Sequence, residues 1–198
     1  MQVFVPYTNL TLCVKALDDK RLRKQALECS QLIDIILDIP TKSGKERSGW
    51  KNHPAYLAWK DNAGALIQYM TYCVAEIKER GFKTDYCDEK LQEYKQYTTS
   101  LNSPVWWGDE EIHSSHRARL LQKGYEEKLK YGNKADKIIA WYSYYNWKEM
   151  KDPHLFYKEY IWPTEISKSG YNKEIRTSKD NVKTKEVLIK TFGSNPYM

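Results

Sequence analysis

Apolar residues recur at Leu22, Ala26, Cys29, Ile33 and Ile36, a 4-3-4-3 spacing that lays one stripe along a helix. The pattern predicts a helix from near Asp18 or Asp19 to about Leu37, with acidic residues at its positive end and Pro40 as its stop. A second series, Leu57, Leu66, Ile67, Met70, Cys73, Val74 and Ile77, follows His53-Pro54 and predicts helix from about Ala55 to Arg80. Lys78 and Arg80 in its last turn and Gly81 beyond are the expected ending. Shorter helices are predicted over Asp88–Tyr97, over Glu110–Lys130 with Asp109 as cap, and over Lys134–Glu149. The first twelve residues, punctuated by Pro6, read as extended or irregular, and Thr41–Trp50 and Asn102–Gly108 as loops. Strand signals are thin and internal repeats absent. The expectation is a mostly α, single-domain helical bundle over residues 1–163 with an irregular N-terminal segment. Between residues 164 and 190 seven Lys/Arg face four Asp/Glu, so residues 164–198 read as a basic C-terminal extension or tail.

Composition narrows the partners. In 198 residues, 41% are hydrophobic, enough for a full core, and the net charge of +6 permits a polyanionic partner. The aromatic residues are dominated by 16 Tyr and 7 Trp, rings suited to wet interfaces and base stacking as well as to cores. No apolar run approaches the ~18 residues of a membrane span. The start, MQVFVPYTNL, lacks a charged segment followed by an apolar run, so a cytoplasmic protein without a signal peptide is expected. Cys13, Cys29, Cys73 and Cys87 form no C-x-x-C pair and are expected as free, buried thiols.

Three clusters could carry chemistry. At ~100° per residue Arg21, Gln25 and Glu28 share a flank beside the apolar stripe, where a cleft could partly desolvate the carboxylate. The same spacing fits a solvated helix face with a Lys24–Glu28 pair. Lys20, Arg21, Arg23 and Lys24 place four cations in five residues, available to phosphates or to solvent alone. His113, His116 and Arg117 fall on one helical face with Arg119 close behind; metal binding, nucleic-acid contact and internal hydrogen bonding all fit them. Trp106-Trp107 and the run Trp141–Trp147, with Trp141, Tyr144 and Tyr145 on one face, are either core or stacking surface for an unpaired base.

Leu17-Asp18-Asp19-Lys20-Arg21-Leu22-Arg23-Lys24-Gln25-Ala26-Leu27-Glu28 resembles the L-D-x-x-R-L-x-x-Q-x-x-E signature of the pyrimidine-dimer DNA glycosylases, the family of phage endonuclease V. Asn9-Leu10-Thr11-Leu12, Lys51-Asn52-His53-Pro54 and Glu79-Arg80-Gly81-Phe82 fall where members carry similar segments. Pro104 to Asp109, His113-Ser-Ser-His116-Arg117 and Tyr160-Ile161-Trp162-Pro163 resemble a bacterial and phage branch of it. The resemblance covers about residues 1–163.

It implies a compact, mainly helical domain that binds duplex DNA, bends it and flips a nucleotide, and a monomer is expected. A terminal α-amine attacks the sugar C1′ as the glycosidic bond breaks; the resulting imine permits β-elimination, and a helix carboxylate supports the cationic transition state.

 Glu28 matches that carboxylate, and the Met1 amine is the candidate nucleophile, which must be unprotonated to attack. Lys20, Arg21, Arg23, Lys24, Gln25, His53, His113, His116, Arg117 and Arg119 are the expected DNA-holding residues. Trp106, Trp107, Trp141 and Tyr145 are the stacking candidates, and neither cofactor nor metal is implied. Two departures stand out: residue 2 is Gln, too bulky for ordinary Met removal, and the stretch before Glu28 is several residues longer than in the prototype. Lys20 is a weaker substitute amine. A non-catalytic DNA-binding protein on the same scaffold is the alternative, and a nuclease using metal at His113 and His116 a third reading. The expected partner is double-stranded DNA with a damaged or modified base, met in the cytoplasm at the nucleoid.

Overall fold

A computed structural model of the chain describes residues 1–45, 47–97, 100–132, 141, 142, 144, 149, 158–167 and 170–175. Its elements are α1 (Leu10–Lys15), α2 (Asp19–Ile36), a 3-10 turn (Ser48–Trp50), α3 (Pro54–Trp59), α4 (Ala63–Glu79), α5 (Asp85–Tyr94), α6 (Glu110–Tyr131), and strands β1 (Ile161–Ser167) and β2 (Gly170–Ile175), which pair as a two-stranded sheet. The chain is mostly helical, as its periodicity predicts. It divides into two units, Met1–Trp107 with Pro163–Lys173, and Gly108–Trp162 with Glu174–Met198. Among the described residues no helix is long and apolar enough to cross a membrane.

In the first unit α2 packs on α4, and α1, α3 and α5 pack around that pair. The stripe read from sequence supplies the contact: Leu22, Ala26, Cys29 and Ile33 are fully buried, as are Leu66, Met70 and Cys73 of α4. Both long helices end in the same way. In α4 the Phe82 amide bonds the Ile77 carbonyl and the Gly81 amide that of Lys78, with Gly81 at φ 78°. In α2 the Ile39 amide bonds the Asp34 carbonyl, and Asp38 takes the left-handed position at φ 53°, so the helix turns off before Pro40 is reached.

Two features depart from the periodicity. Residues 10–15 are helical rather than irregular: Asn9 caps α1 by accepting from the Leu12 amide at 3.0 Å. The long second helix is broken at Lys60–Asn62, where Asn62 leaves helical geometry at φ −133°. Neither Gly nor Pro marks that break, so the apolar spacing ran through it. The Asn62 side-chain amide instead donates to the Asn102 carbonyl at 3.0 Å.

Arg80 locks the α1–α2 corner. Its guanidinium donates to the carbonyls of Leu17 (2.8 Å), Lys15 (3.2 Å) and Val14 (3.4 Å), and pairs with Asp19 and Glu76 at 2.9 Å each. Carbonyls left over at the end of α1 thus find a charged donor from α4. Asp34 makes a second hub, with Lys90 at 2.8 Å, Arg47 at 3.2 Å and the Tyr94 hydroxyl at 2.8 Å around its buried carboxylate. Burial works against the charge on Lys90, but its bonds to Asp34 and Glu93 outweigh this and hold its pKa above the usual value.

In the second unit α6 is capped by Asp109, whose side chain accepts from the Glu111 amide at 2.9 Å. His113, Ser114, Ser115, His116, Arg117 and Arg119 are all buried along it. The helix expected over Lys134–Glu149 and the tail beyond residue 175 fall outside the described residues, apart from Trp141, Tyr142, Tyr144 and Glu149, which are helical. Residues 161–167 and 170–175 pair as strands, within a region whose sequence carried little strand signal.

Candidate active site at the chain start

Residues 1–7 form neither helix nor strand, and Val3, Phe4 and Val5 are buried. Such a chain must satisfy its backbone groups somewhere. Here helix side chains do so. The Gln2 amide donates to Glu28 Oε2 at 3.1 Å and the Phe4 amide to Gln25 Oε1 at 2.8 Å. Gln25 and Glu28 are three apart, one helical step on the same flank of α2, and the amides of residues 2 and 4 both turn to that flank, as alternate residues do in an extended chain. The chain start therefore runs antiparallel to α2, residue 2 lying opposite residue 28 and residue 4 opposite residue 25.

The carbonyl of Phe4 is held from a third side. The Tyr69 hydroxyl of α4 donates to it at 2.5 Å, and the Cys13 thiol of α1 lies 3.9 Å away. Burial pushes the Cys13 thiol up to about 12 and the Tyr69 hydroxyl well above its ordinary value, so both remain protonated donors near neutral pH. Tyr69 and Cys13 were not marked by sequence as site residues. The available signal is a tyrosine placed among apolar positions of α4, since a buried hydroxyl requires a partner.

The consequence is local and specific. One residue separates the Gln2 nitrogen from the α-amine of Met1, a span of at most ~3.6 Å of chain. Met1 and Gln2 are half-buried, and the Glu28 side chain is 13% exposed. Lys24 lies 3.6 Å from Glu28 Oε1 with its own side chain 67% exposed, so the i,i+4 pair and the flank of Gln25 and Glu28 coexist. Lys20, Arg23 and Lys24 are exposed on α2. The Arg23 guanidinium lies 4.7 Å from the centre of the Phe82 ring, and its Nε donates to the Asp19 carbonyl at 3.2 Å.

The other expected residues sit in different surroundings. Arg21 is buried against Asp18 at 2.9 Å, and Gln25 is buried with its oxygen on the Phe4 amide. His53 caps α3, its Nδ1 accepting from the Ala55 amide at 3.1 Å, and its ring lies 5.5 Å from the exposed Trp50. Trp106 is core, donating to the Ala58 carbonyl at 2.9 Å, while Trp107 is half-buried and donates to the Thr8 carbonyl at 3.2 Å. Both pack on Trp59, with ring centres 5.2 and 6.0 Å from it.

Within the second unit, His113 Nε2 accepts from the Gly108 amide at 3.2 Å, and the buried His116 ring stacks on Tyr160 at 4.4 Å. Arg117 grips Glu149 at 3.0 and 2.8 Å and also bonds Glu110; Arg119 bonds Gln122 at 3.1 Å and Glu126 at 2.8 Å. Trp141 is half-buried, and Tyr145 lies outside the described residues. Among the described residues no group of three or more His, Cys, Asp or Glu is placed to hold a metal ion.

What these contacts define is a helical protein whose chain start is fastened beside a half-buried glutamate through the Gln2 amide. Residues 1–90 match the family model described as pyrimidine dimer DNA glycosylase, which bears out the resemblance read from the sequence and supports DNA glycosylase activity in general. No curated protein and no solved structure matches the chain. The matched residues include all of the chain start, α2 and α4, and with them Glu28, Gln25 and Tyr69.

Proposed function

We propose that the protein is a DNA base-excision glycosylase with abasic-site lyase activity, in which the Met1 α-amine is the nucleophile and Glu28 the assisting carboxylate. The observation that carries this reading is the 3.1 Å bond from the Gln2 amide to Glu28, which fastens the chain start at the carboxylate. The amine lone pair forms a bond to C1′ as the C1′–base bond breaks and the base leaves with the electron pair. Loss of a proton from nitrogen and opening of the sugar ring give the imine, and removal of a C2′ proton then expels the 3′ phosphate. In this reading Glu28 stabilises the positive charge that develops at C1′. Lys20, Arg23 and Lys24 supply exposed cations on the same helix for phosphates of the duplex.

Borohydride trapping on duplex DNA, ultraviolet-irradiated or carrying modified bases, tests the reading. A covalent adduct whose mass maps to the chain start, lost on acetylating the α-amine, is the expected result. An adduct mapped to Lys20 would move the nucleophile. Salt-sensitive DNA binding with neither adduct nor abasic product would leave a non-catalytic DNA-binding protein.

A further inference from the structure

The Phe4 peptide is fixed at both ends, although it is three residues away from the proposed nucleophile. Its amide goes to Gln25 Oε1 at 2.8 Å and its carbonyl to the Tyr69 hydroxyl at 2.5 Å. Phe4 is 6%, Gln25 1% and Tyr69 0% exposed, so neither side chain is presented to a nucleic acid. In an extended chain successive amides point to opposite sides. A slip of one residue would turn the amides of residues 2 and 4 away from α2. A slip of two would carry the α-amine about 6.6 Å along the chain. An amine that attacks carbon tolerates far less, since a misplacement of ~1 Å can cost ~100-fold in rate. The bond at Glu28 is only part-buried and cannot set the register by itself. The buried Phe4 anchor can.

We infer that Gln25 and Tyr69 are positioning residues, fixing the register of residues 1–5 on α2 so that the α-amine is presented at Glu28; this rests on the function proposed above. Gln25 thereby acts through the chain start, in place of the DNA contact expected of it from sequence. Tyr69 acts from α4 on the carbonyl of the same residue whose amide Gln25 holds.

The test uses the full chain and single-turnover borohydride trapping at saturating damaged duplex, with DNA affinity and thermal unfolding measured in parallel. Gln25→Met removes the acceptor at similar volume, and Tyr69→Phe removes one oxygen. Tyr94→Phe is the control: its hydroxyl is equally buried, 2.9 Å from the Ser30 carbonyl and 2.8 Å from Asp34, and does not touch residues 1–5. Gln25→Met and Tyr69→Phe should each slow trapping by about 10- to 100-fold with DNA affinity unchanged. Tyr94→Phe should lose stability and keep its trapping rate. If Gln25→Met does not fold, the smaller Tyr69→Phe change decides. Wild-type trapping rates in the Gln25 and Tyr69 variants would overturn the inference, as would an equal loss in Tyr94→Phe or a parallel loss of DNA affinity. A wild-type protein that traps on no substrate removes the parent reading and the positioning role together, whereas failure of the variants alone removes only the latter.

Discussion

Two polar runs, one on α2 and one on α6, read alike in sequence, yet their surroundings are opposite. On α2 the run alternates: Arg21 and Gln25 are buried, Lys20, Arg23 and Lys24 are exposed, and Glu28 lies between. On α6 His113 to Arg119 is buried throughout, and His113, Arg117 and Arg119 bond partners within their own unit. The α2 run retains cations facing solvent beside a carboxylate that holds the chain start. The α6 run spends its charges on Glu110, Glu149 and Glu126. A basic motif is available to a polyanion only where its charges are left to solvent, and burial, which spacing does not reveal, decides that.

The sharpest way to test the contrast is to remove one charge from each run. Glu28→Gln keeps an oxygen for the Gln2 amide but removes the negative charge, so activity should fall by about 10²- to 10⁴-fold while the unfolding midpoint barely moves. Arg117→Met should do the reverse in its unit. It strands Glu149, whose side chain is 0% exposed, and breaking such a buried pair costs about 3–5 kcal/mol. Burial disfavours the charge on Arg117, but its bonds to Glu149 and Glu110 prevail and raise its pKa, as expected of a pair that is needed charged. Arg117→Met/Glu149→Leu should recover part of the loss in denaturant unfolding, because an apolar pair leaves no stranded charge. A Glu28→Gln variant with full activity would remove Glu28 from the chemistry.

Much of the α2 side of this contrast was legible in the sequence, and little of the α6 side was. The stripe through Leu22, Ala26, Cys29 and Ile33 set the face of α2, and from it the flank carrying Arg21, Gln25 and Glu28 followed by angle alone. The partners of that flank were not legible, because the Gln2 and Phe4 amides reach it across more than twenty residues of chain. Asn62 broke a helix without Gly or Pro, so that boundary escaped composition; the end of α2 near Leu37 was legible, although Asp38, in a conformation more usual for Gly, makes the turn before Pro40 is reached. On α6 the apolar Ile112, Ala118, Leu120, Leu121 and Tyr125 are buried together with the polar residues between them, so periodicity could not tell that His113 to Arg119 are covered as well.

A smaller effect separates the runs by pH. Burial first, and then the nearby charges of His113 and Arg117, hold the His116 pKa well below 6.5, against a backbone hydrogen bond with Ile161 that raises it. The folded protein thus keeps His116 neutral where the unfolded chain begins to bind a proton. Stability should rise with pH up to about 6.5 and fall below it, by at most ~1.4 kcal/mol per pH unit from this one group. His116→Phe preserves a ring to stack on Tyr160 and should flatten the slope of denaturant stability between about pH 5 and 6.5. An unchanged slope would assign the acid sensitivity to other groups.

The smallest expected change concerns the exposed cations. Lys20→Gln and Lys24→Gln should leave unfolding unaltered, since both side chains stand in solvent and surface pairs of this kind contribute little. If each lysine neutralises one phosphate, the slope of log affinity against log salt should become shallower by ~0.9 per substitution. Arg119→Gln gives the matching measurement on α6: its guanidinium is buried on Gln122 and Glu126, so it should lower stability and leave the salt slope as it was. A salt slope that responds to Arg119 and ignores Lys20 and Lys24 would reverse the assignment, making α6 the helix that meets DNA and leaving α2 to hold the chain start alone.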